Sequence, residues 1–321
     1  MPIATMQTKN KDAFAVALEQ ATGRTVKRDV LLSQYNSLRV GGLADLFIEV
    51  CHEQELIGAV QLARRSEVPF LVIGNGTNLI FTDAGVRGLV IRNRADHFEI
   101  KEEYNMDSIW YVESGTLWGS LCREAAQLGW GDITWGISIP GSLGGAVVSN
   151  AGAHGGELDD VLVSARVLNT GNDIEDWPAA RFKLAYRSSV LKAEGRRQIS
   201  PPLIVTAVTI RLHRMDTVEL QARMKQWQRD RIASQPAGKT VGSTFKNPPG
   251  DSAGRLLEAA GLKGYRYREV EFSPKHANFL MNLGAATYAD VKRILSYAQE
   301  TVWQKFGVRL EPEVEIVGED V

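Results

Sequence analysis

Six glycines stand between Gly141 and Gly156, set among small side chains: Pro140-Gly141-Ser142-Leu143-Gly144-Gly145-Ala146, then Asn150-Ala151-Gly152-Ala153-His154-Gly155-Gly156-Glu157. A packed turn needs one or two glycines, where φ must turn positive or a neighbour lies too close for a Cβ. A run this dense lets a long stretch of backbone lie against something large, so a bound planar or phosphorylated ligand is the expected reason for it. A second loop, Gly74-Asn75-Gly76-Thr77-Asn78, follows an apolar strand and could bring its amides onto phosphate in the same way, although a plain structural turn accounts for it equally well. Neither loop has the spacing G-x-G-x-x-G, so the ligand is expected to be held by a nucleotide fold other than the Rossmann one.

A chain of 321 residues has room for two or three domains around these loops, and 44% hydrophobic with 23% charged residues describes a folded protein. Its 37 Lys+Arg against 38 Asp+Glu leave a formal charge of -1, so there is no global positive field for nucleic acid or an anionic membrane. Residues 1–12 are polar, without the apolar core of an export signal, and no later run approaches the roughly 18 apolar residues of a membrane helix. Cys51 and Cys122 lie in apolar-periodic segments without CxxC spacing, which reads as two buried thiols in a reducing compartment. A cytoplasmic location is expected, with no nucleic-acid, membrane or obligate protein partner.

Hydrophobic periodicity outlines the elements. Phe14, Ala17, Leu18 and Ala21 mark a helix over 10–23. A strand at 46–51, a helix carrying Leu56, Ala59, Val60 and Ala63, and a buried strand at 70–73 begin in a βαβ manner and end at the first glycine loop. Further strands are expected at 88–92, 110–113, 161–168 and 203–212, and a helix carries Leu117, Leu121, Ala125 and Leu128. A polar helix near 217–231 marks a domain boundary. Beyond it the best helix spans 287–306: Val291, Leu295, Ala298, Val302 and Phe306 form one stripe, Thr287 with Asp290 makes a capping box, and Gly307 ends it.

Several familiar chemistries fail on spacing. Gly238-Lys239-Thr240 would need a glycine at the position of Ala233 to be a phosphate-binding P-loop. The five histidines show neither HExxH nor Cys/His ligand spacing, so no metal is expected and His276 reads as structural. No G-x-S-x-G elbow surrounds Ser243. The run Tyr265-Arg266-Tyr267-Arg268 could stack on bases, but in a near-neutral chain it reads as surface. Three segments hold competent residues that mean little singly: Tyr186-Arg187-Ser188-Ser189, Gly242-Ser243-Thr244-Phe245-Lys246-Asn247-Pro248 and Leu310-Glu311-Pro312-Glu313-Val314.

Taken in order, these segments resemble the UDP-N-acetylenolpyruvoylglucosamine reductases of bacterial peptidoglycan synthesis. The resemblance starts at Asn36-Ser37-Leu38-Arg39-Val40-Gly41-Gly42, passes through both glycine loops and the three segments above, takes in Lys275-His276-Ala277-Asn278-Phe279, and covers nearly all of the chain beyond Tyr35. The Lys275–Phe279 stretch is similar to the subclass with the shorter C-terminal domain. The resemblance implies an α+β fold: an FAD-binding portion of the vanillyl-alcohol-oxidase (PCMH) type in two subdomains, then an α/β substrate-binding domain. It gives a helical segment at 1–29, an FAD-binding domain at 30–213 split near 93, and a substrate domain at 214–321. It also implies that Arg39, Gly74, Asn75, Gly76, Thr77, Asn78, Gly141, Ser142, Gly145, Ala146, Asn150 and Gly152 hold FAD.

The implied reaction reduces an enolpyruvyl ether on a UDP-linked amino sugar to a lactyl ether, giving UDP-N-acetylmuramate, with NADPH as reductant. Hydride addition to the vinyl carbon leaves carbanion character beside a carboxylate. The resemblance assigns the pairing of that carboxylate to Arg187, stabilisation of its second oxygen to Glu313, and the final proton to Ser243. Tyr186, Lys246, Asn247 and Asn278 match positions that contact substrate. Ser138, His154 and Arg268-Glu269 depart from the family pattern in loops rather than at the catalytic segments. A flavoprotein oxidising an alcohol or lactone, or a non-catalytic flavin-binding protein, would leave the motifs at 242–248 and 310–314 unexplained.

Overall fold

The computed structural model describes residues 8–192 and 203–318; the first seven residues of the polar stretch 1–12 lie outside them. A first sheet is ordered Lys27–Leu31, Leu43–Val50, Val86–Asn93, Phe70–Ile73, with its last three strands parallel and Lys27–Leu31 antiparallel at the edge. Parallel strands need a crossover, and the helix Glu53–Arg65 carries the chain from Leu43–Val50 to Phe70–Ile73. That helix has Glu53 and Glu55 in its first turn and Arg64 and Arg65 in its last, matching the ends of its dipole. Its buried stripe of Leu56, Ala59, Val60 and Ala63 packs with Leu46, Ile48 and Val50 from the sheet and with Phe14 and Leu18 from the helix Thr8–Thr22. Phe47 turns to the opposite face, as the two-residue period of a strand requires. Gly23 closes the first helix at φ 68°.

A second sheet is antiparallel throughout: Ile174–Pro178, Leu162–Leu168, Ile204–His213, Asp107–Glu113, Phe98–Glu103. Its three inner strands match the sequence reading to within a few residues. The outer two went unread because Phe98–Glu103 carries only two half-buried apolar residues, Phe98 and Ile100, among charged ones, and edge strands carry charge where inner ones carry apolar side chains. Glu53 ties the two sheets together: its buried carboxylate accepts from Tyr111 (2.6 Å), Thr206 (2.6 Å) and Arg166 (2.9 Å).

The third sheet, Thr240–Ser243, Phe279–Asn282, Val270–Phe272, Arg266–Tyr267, is also antiparallel. The helix Tyr288–Phe306 packs on it through Val291, Leu295, Ala298 and Val302, while Phe306 stays 39% exposed at the last turn. Both expected ends are present: Thr287 and Asp290 exchange hydrogen bonds in a capping box, and Gly307 takes φ 66°. The helix Thr217–Ser234 buries Leu220 and Met224 in the core of the five-stranded sheet. The third core in turn takes in Leu38, Val40 and Ile80 from the first half of the chain. The strand Glu315–Val317 then leaves the C-terminal sheet and pairs in parallel with Leu79–Phe81. Among the described residues no helix is long and apolar enough to cross a membrane.

Candidate active site

The two glycine loops face each other across a cleft of about 670 Å³. The amide of Asn75 donates to the Pro140 carbonyl at 2.8 Å, which joins the loops at one edge. Gly74 approaches the other loop so closely that a Cβ there would lie 2.1 Å from Ser142 Oγ, and Gly76, at φ 66°, would bring one 2.0 Å from the Tyr35 carbonyl. These glycines are required by packing. Gly141 and Gly145 are different: a Cβ on either would meet no protein atom closer than 3.6 Å, so their missing side chains leave open cleft. Backbone N–H groups of Asn75, Gly76 and Thr77 take no backbone partner among the described residues. Free donors along a loop and glycines opening onto space are what a dinucleotide's phosphates and flat rings need. Gly74→Ala should force the loops apart at an overpacking cost of about 1–3 kcal/mol, read as roughly 10- to 100-fold weaker FAD binding in a titration of the flavin-free protein.

At the far wall the chain brings its three scattered segments together. Arg187 sits in a tight turn closed by reciprocal bonds between Ala185 and Ser188 (3.1 and 3.0 Å) and has φ 52°. Its Nε lies 2.7 Å from Glu313 Oε1, but off the line of a well-directed hydrogen bond, and its Nη2 donates to Gly152 O at 3.3 Å. The guanidinium therefore lies against Glu313 while keeping donor capacity for another anion. Burial pushes the Glu313 carboxyl above its ordinary pKa, opposed by the cations Arg187, Lys192 and Lys246. Glu313 is placed by backbone: its amide donates to Thr244 O at 2.9 Å, and Asn78 Nδ2 donates to its carbonyl at 3.0 Å. Ser243, next to Thr244, ends a strand paired with Phe279 and lines the same cleft, and its hydroxyl takes no partner among the described residues.

Gly74, Asn75, Gly76, Thr77, Asn78, Gly141, Ser142, Gly145, Ala146 and Gly152 line the cleft, as do Arg187, Ser243 and Glu313. The structure does not bring every expected residue to its wall. Arg39 is exposed, at φ 62°, and donates to the Gln34 carbonyl. Asn150 is buried at the end of the helix Leu143–Ser149, where its side chain donates to Ala185 O (3.4 Å) and accepts from Asp159 N (3.2 Å), bracing the Arg187 turn. Asn278 is buried too, with both ends of its amide taken by the Phe245 backbone at 2.9 and 2.8 Å; it holds the Ser243 segment in place. Tyr186 and Asn247 are exposed, and the Tyr186 hydroxyl accepts from Asn247 N at 3.4 Å. Lys246 is ion-paired with Glu311.

Among the cleft residues that escaped the sequence reading are Lys192, Arg231, Gln235 and Glu315. Glu315 had a signal, since residues two apart on an extended strand share a face and Glu313 was already named. The others are lone polar residues without a motif. Arg231 has its charge desolvated, and its guanidinium takes no partner among the described residues. Of the departures from the family pattern, Ser138 has a buried Oγ without a partner, His154 stacks on Trp227 at the rim (5.3 Å), and Arg268 adopts φ 52°, the left-handed conformation glycine takes freely. Tyr265 stacks on Tyr297 at 4.8 Å, so the aromatic and basic run is occupied at the surface. His276 accepts from Asn278 N at 3.2 Å and packs on Phe279, a structural setting. Among the described residues no group of three or more His, Cys, Asp and Glu is arranged to hold a metal ion.

Fold and cleft together define an FAD-binding α+β protein, and a family profile described as an FAD binding domain matches residues 44–175. A second profile, described as the C-terminal domain of UDP-N-acetylenolpyruvoylglucosamine reductase, matches residues 234–317. Curated reductases of that name from Chloroflexus aggregans and Rubrobacter xylanophilus are each 39% identical over 91% of this chain, covering 98% and 95% of their own lengths. The crystal structure of UDP-N-acetylenolpyruvylglucosamine reductase from Thermus caldophilus superposes with a TM-score of 0.77 at 35% identity, covering 92% of this chain and all of that one. The chain belongs to the UDP-N-acetylenolpyruvoylglucosamine reductase family.

Proposed function

We propose that this chain reduces the enolpyruvyl ether of UDP-N-acetylglucosamine enolpyruvate to the lactyl ether of UDP-N-acetylmuramate, using NADPH through FAD, as a step of peptidoglycan synthesis. The observation that carries the reading is the convergence of Arg187, Glu313 and Ser243 on the cleft that the two glycine loops form. When bound, FAD supplies the hydride, taken from NADPH, for the vinyl carbon of the substrate. The residues of the chain then manage charge and proton. Arg187 offers its fork of donors to the substrate carboxylate, whose charge grows as carbanion character develops beside it. Glu313, held toward its neutral form by burial, donates to the second carboxylate oxygen instead of repelling it. Ser243, with an uncommitted hydroxyl, delivers the proton to carbon, a base strong enough to take it from an alcohol. Carbon gains one hydride and one proton, and NADPH leaves as NADP⁺.

Around this centre the free amides of 75–77 would cradle the diphosphate of FAD, with Arg231 adding the charge that amides lack, and Gly141 and Gly145 would lie against its flat portion. Tyr186, Lys246 and Asn247, beside Arg187 and Ser243 in the chain, would contact the UDP-sugar. Residues 30–213 would serve the flavin and 214–321 the substrate, with the helix Thr217–Ser234 reaching back into the core of the five-stranded sheet and the helix Thr8–Thr22 joining the core of the first. The two free cysteines favour the cytoplasm. An anaerobic visible spectrum tests the whole reading. NADPH should bleach the flavin band and the enolpyruvyl sugar should restore it. A band that bleaches but is not restored would leave the flavin fold standing and remove the substrate.

A further inference from the structure

We infer that Lys192 is a positioning residue of this site, holding the turn that presents Arg187 and completing the positive charge around Glu313; the inference rests on the reductive reading above. Arg187 carries its side chain on left-handed backbone, φ 52°, a conformation that a residue with a Cβ keeps only when its surroundings enforce it. The turn's other ties fall on its flanks: Ala185 with Ser188, Asn150 Nδ2 on Ala185 O, and Ser189 Oγ on Val148 O at 2.6 Å. The contact that falls on Arg187's own backbone is made by Lys192, whose ammonium donates to the Arg187 carbonyl at 3.2 Å.

The same ammonium lines the cleft beside Glu313 and Glu315. Burial lowers its pKa, Glu315 and Glu313 act the other way, and Lys246 and Arg187 add to the lowering. Each cation near Glu313 has a further duty: Arg187 must engage substrate, and Lys246 is drawn to Glu311. Lys192 has its duty in the frame itself. It binds the backbone of the residue that binds the substrate, and it offsets two carboxylates that would otherwise face a carboxylate-bearing ligand.

The test compares Lys192→Met and Lys192→Arg with the unaltered, FAD-loaded chain in three measurements: flavin bleaching by NADPH, colour recovery on adding the enolpyruvyl sugar, and amide hydrogen exchange across 185–192 without sugar. In the Met variant bleaching should stay within about twofold, while recovery slows by roughly ten- to a hundredfold, the scale of a misplaced reacting group. Exchange at 186–189 should rise. The Arg variant should restore most of both. Native recovery and native exchange in Lys192→Met would overturn the inference, and so would equal slowing of bleaching and recovery, which marks a general loss of structure. If the sugar fails to restore colour in the unaltered chain, the substrate reading fails, and the exchange comparison still decides whether Lys192 holds the turn.

Discussion

Arg187→Ala lowers turnover by at least about 100- to 1000-fold, the usual result of deleting one preorganised charge-stabilising donor. The loss should fall on reduction of the enolpyruvyl sugar, while bleaching of the flavin by NADPH continues. Two effects add. The substrate carboxylate loses its bidentate partner at the moment its charge grows, and Glu313 loses the cation 2.7 Å from it. With that cation gone, burial meets less opposition and pushes the Glu313 pKa further up. Lysine should be a poor substitute, because a point charge on a flexible stem lacks the planar fork. A stopped-flow trace of flavin recovery decides it; a near-normal rate in Arg187→Ala would remove Arg187 from the chemistry.

Ser243→Ala is the second large effect, about 100- to 10,000-fold, as expected for loss of a positioned general acid. Here the structure makes a narrow statement. The hydroxyl is uncommitted while the backbone around it is locked: Ser243 pairs with Phe279, and Thr244 N donates to Asn278 O at 2.8 Å. Removing the oxygen should therefore leave the cleft, the flavin spectrum and sugar binding unchanged and slow only proton delivery to carbon. Rapid-mixing recovery in ordinary and heavy water separates the cases. Full-speed recovery in Ser243→Ala, with the solvent isotope effect intact, would mean that another group supplies the proton.

Much of this fold could be read from the chain where burial is one-sided. The helix Tyr288–Phe306 announces itself by a stripe, a capping box and a terminal glycine, and Phe70–Ile73 by four buried apolar residues in a row. The strands Lys27–Leu31 and Phe98–Glu103 could not be read, since an edge strand spends most of its side chains on solvent and leaves too short a period to find. The site divides similarly. Glycine loops are legible because only glycine serves there, and Arg187, Ser243 and Glu313 become legible once ordered motifs connect them. Asn150 and Asn278 stood out as polar residues in motifs, yet polarity alone does not show whether an amide faces a ligand or a neighbouring backbone; hydrogen-bond partners fixed by tertiary structure decide that. Lys192 and Arg231 carry no local pattern at all, and only the folded cleft singles them out.

The parallel pairing of Glu315–Val317 with Leu79–Phe81 sets an order in time as well as in space. A chain growing from its N-terminus completes the glycine loop at 74–78 early, but Glu313 reaches the cleft only when the strand directly behind it docks beside Leu79. A chain truncated before Glu313 would thus keep both glycine loops and lack the carboxylate that faces Arg187.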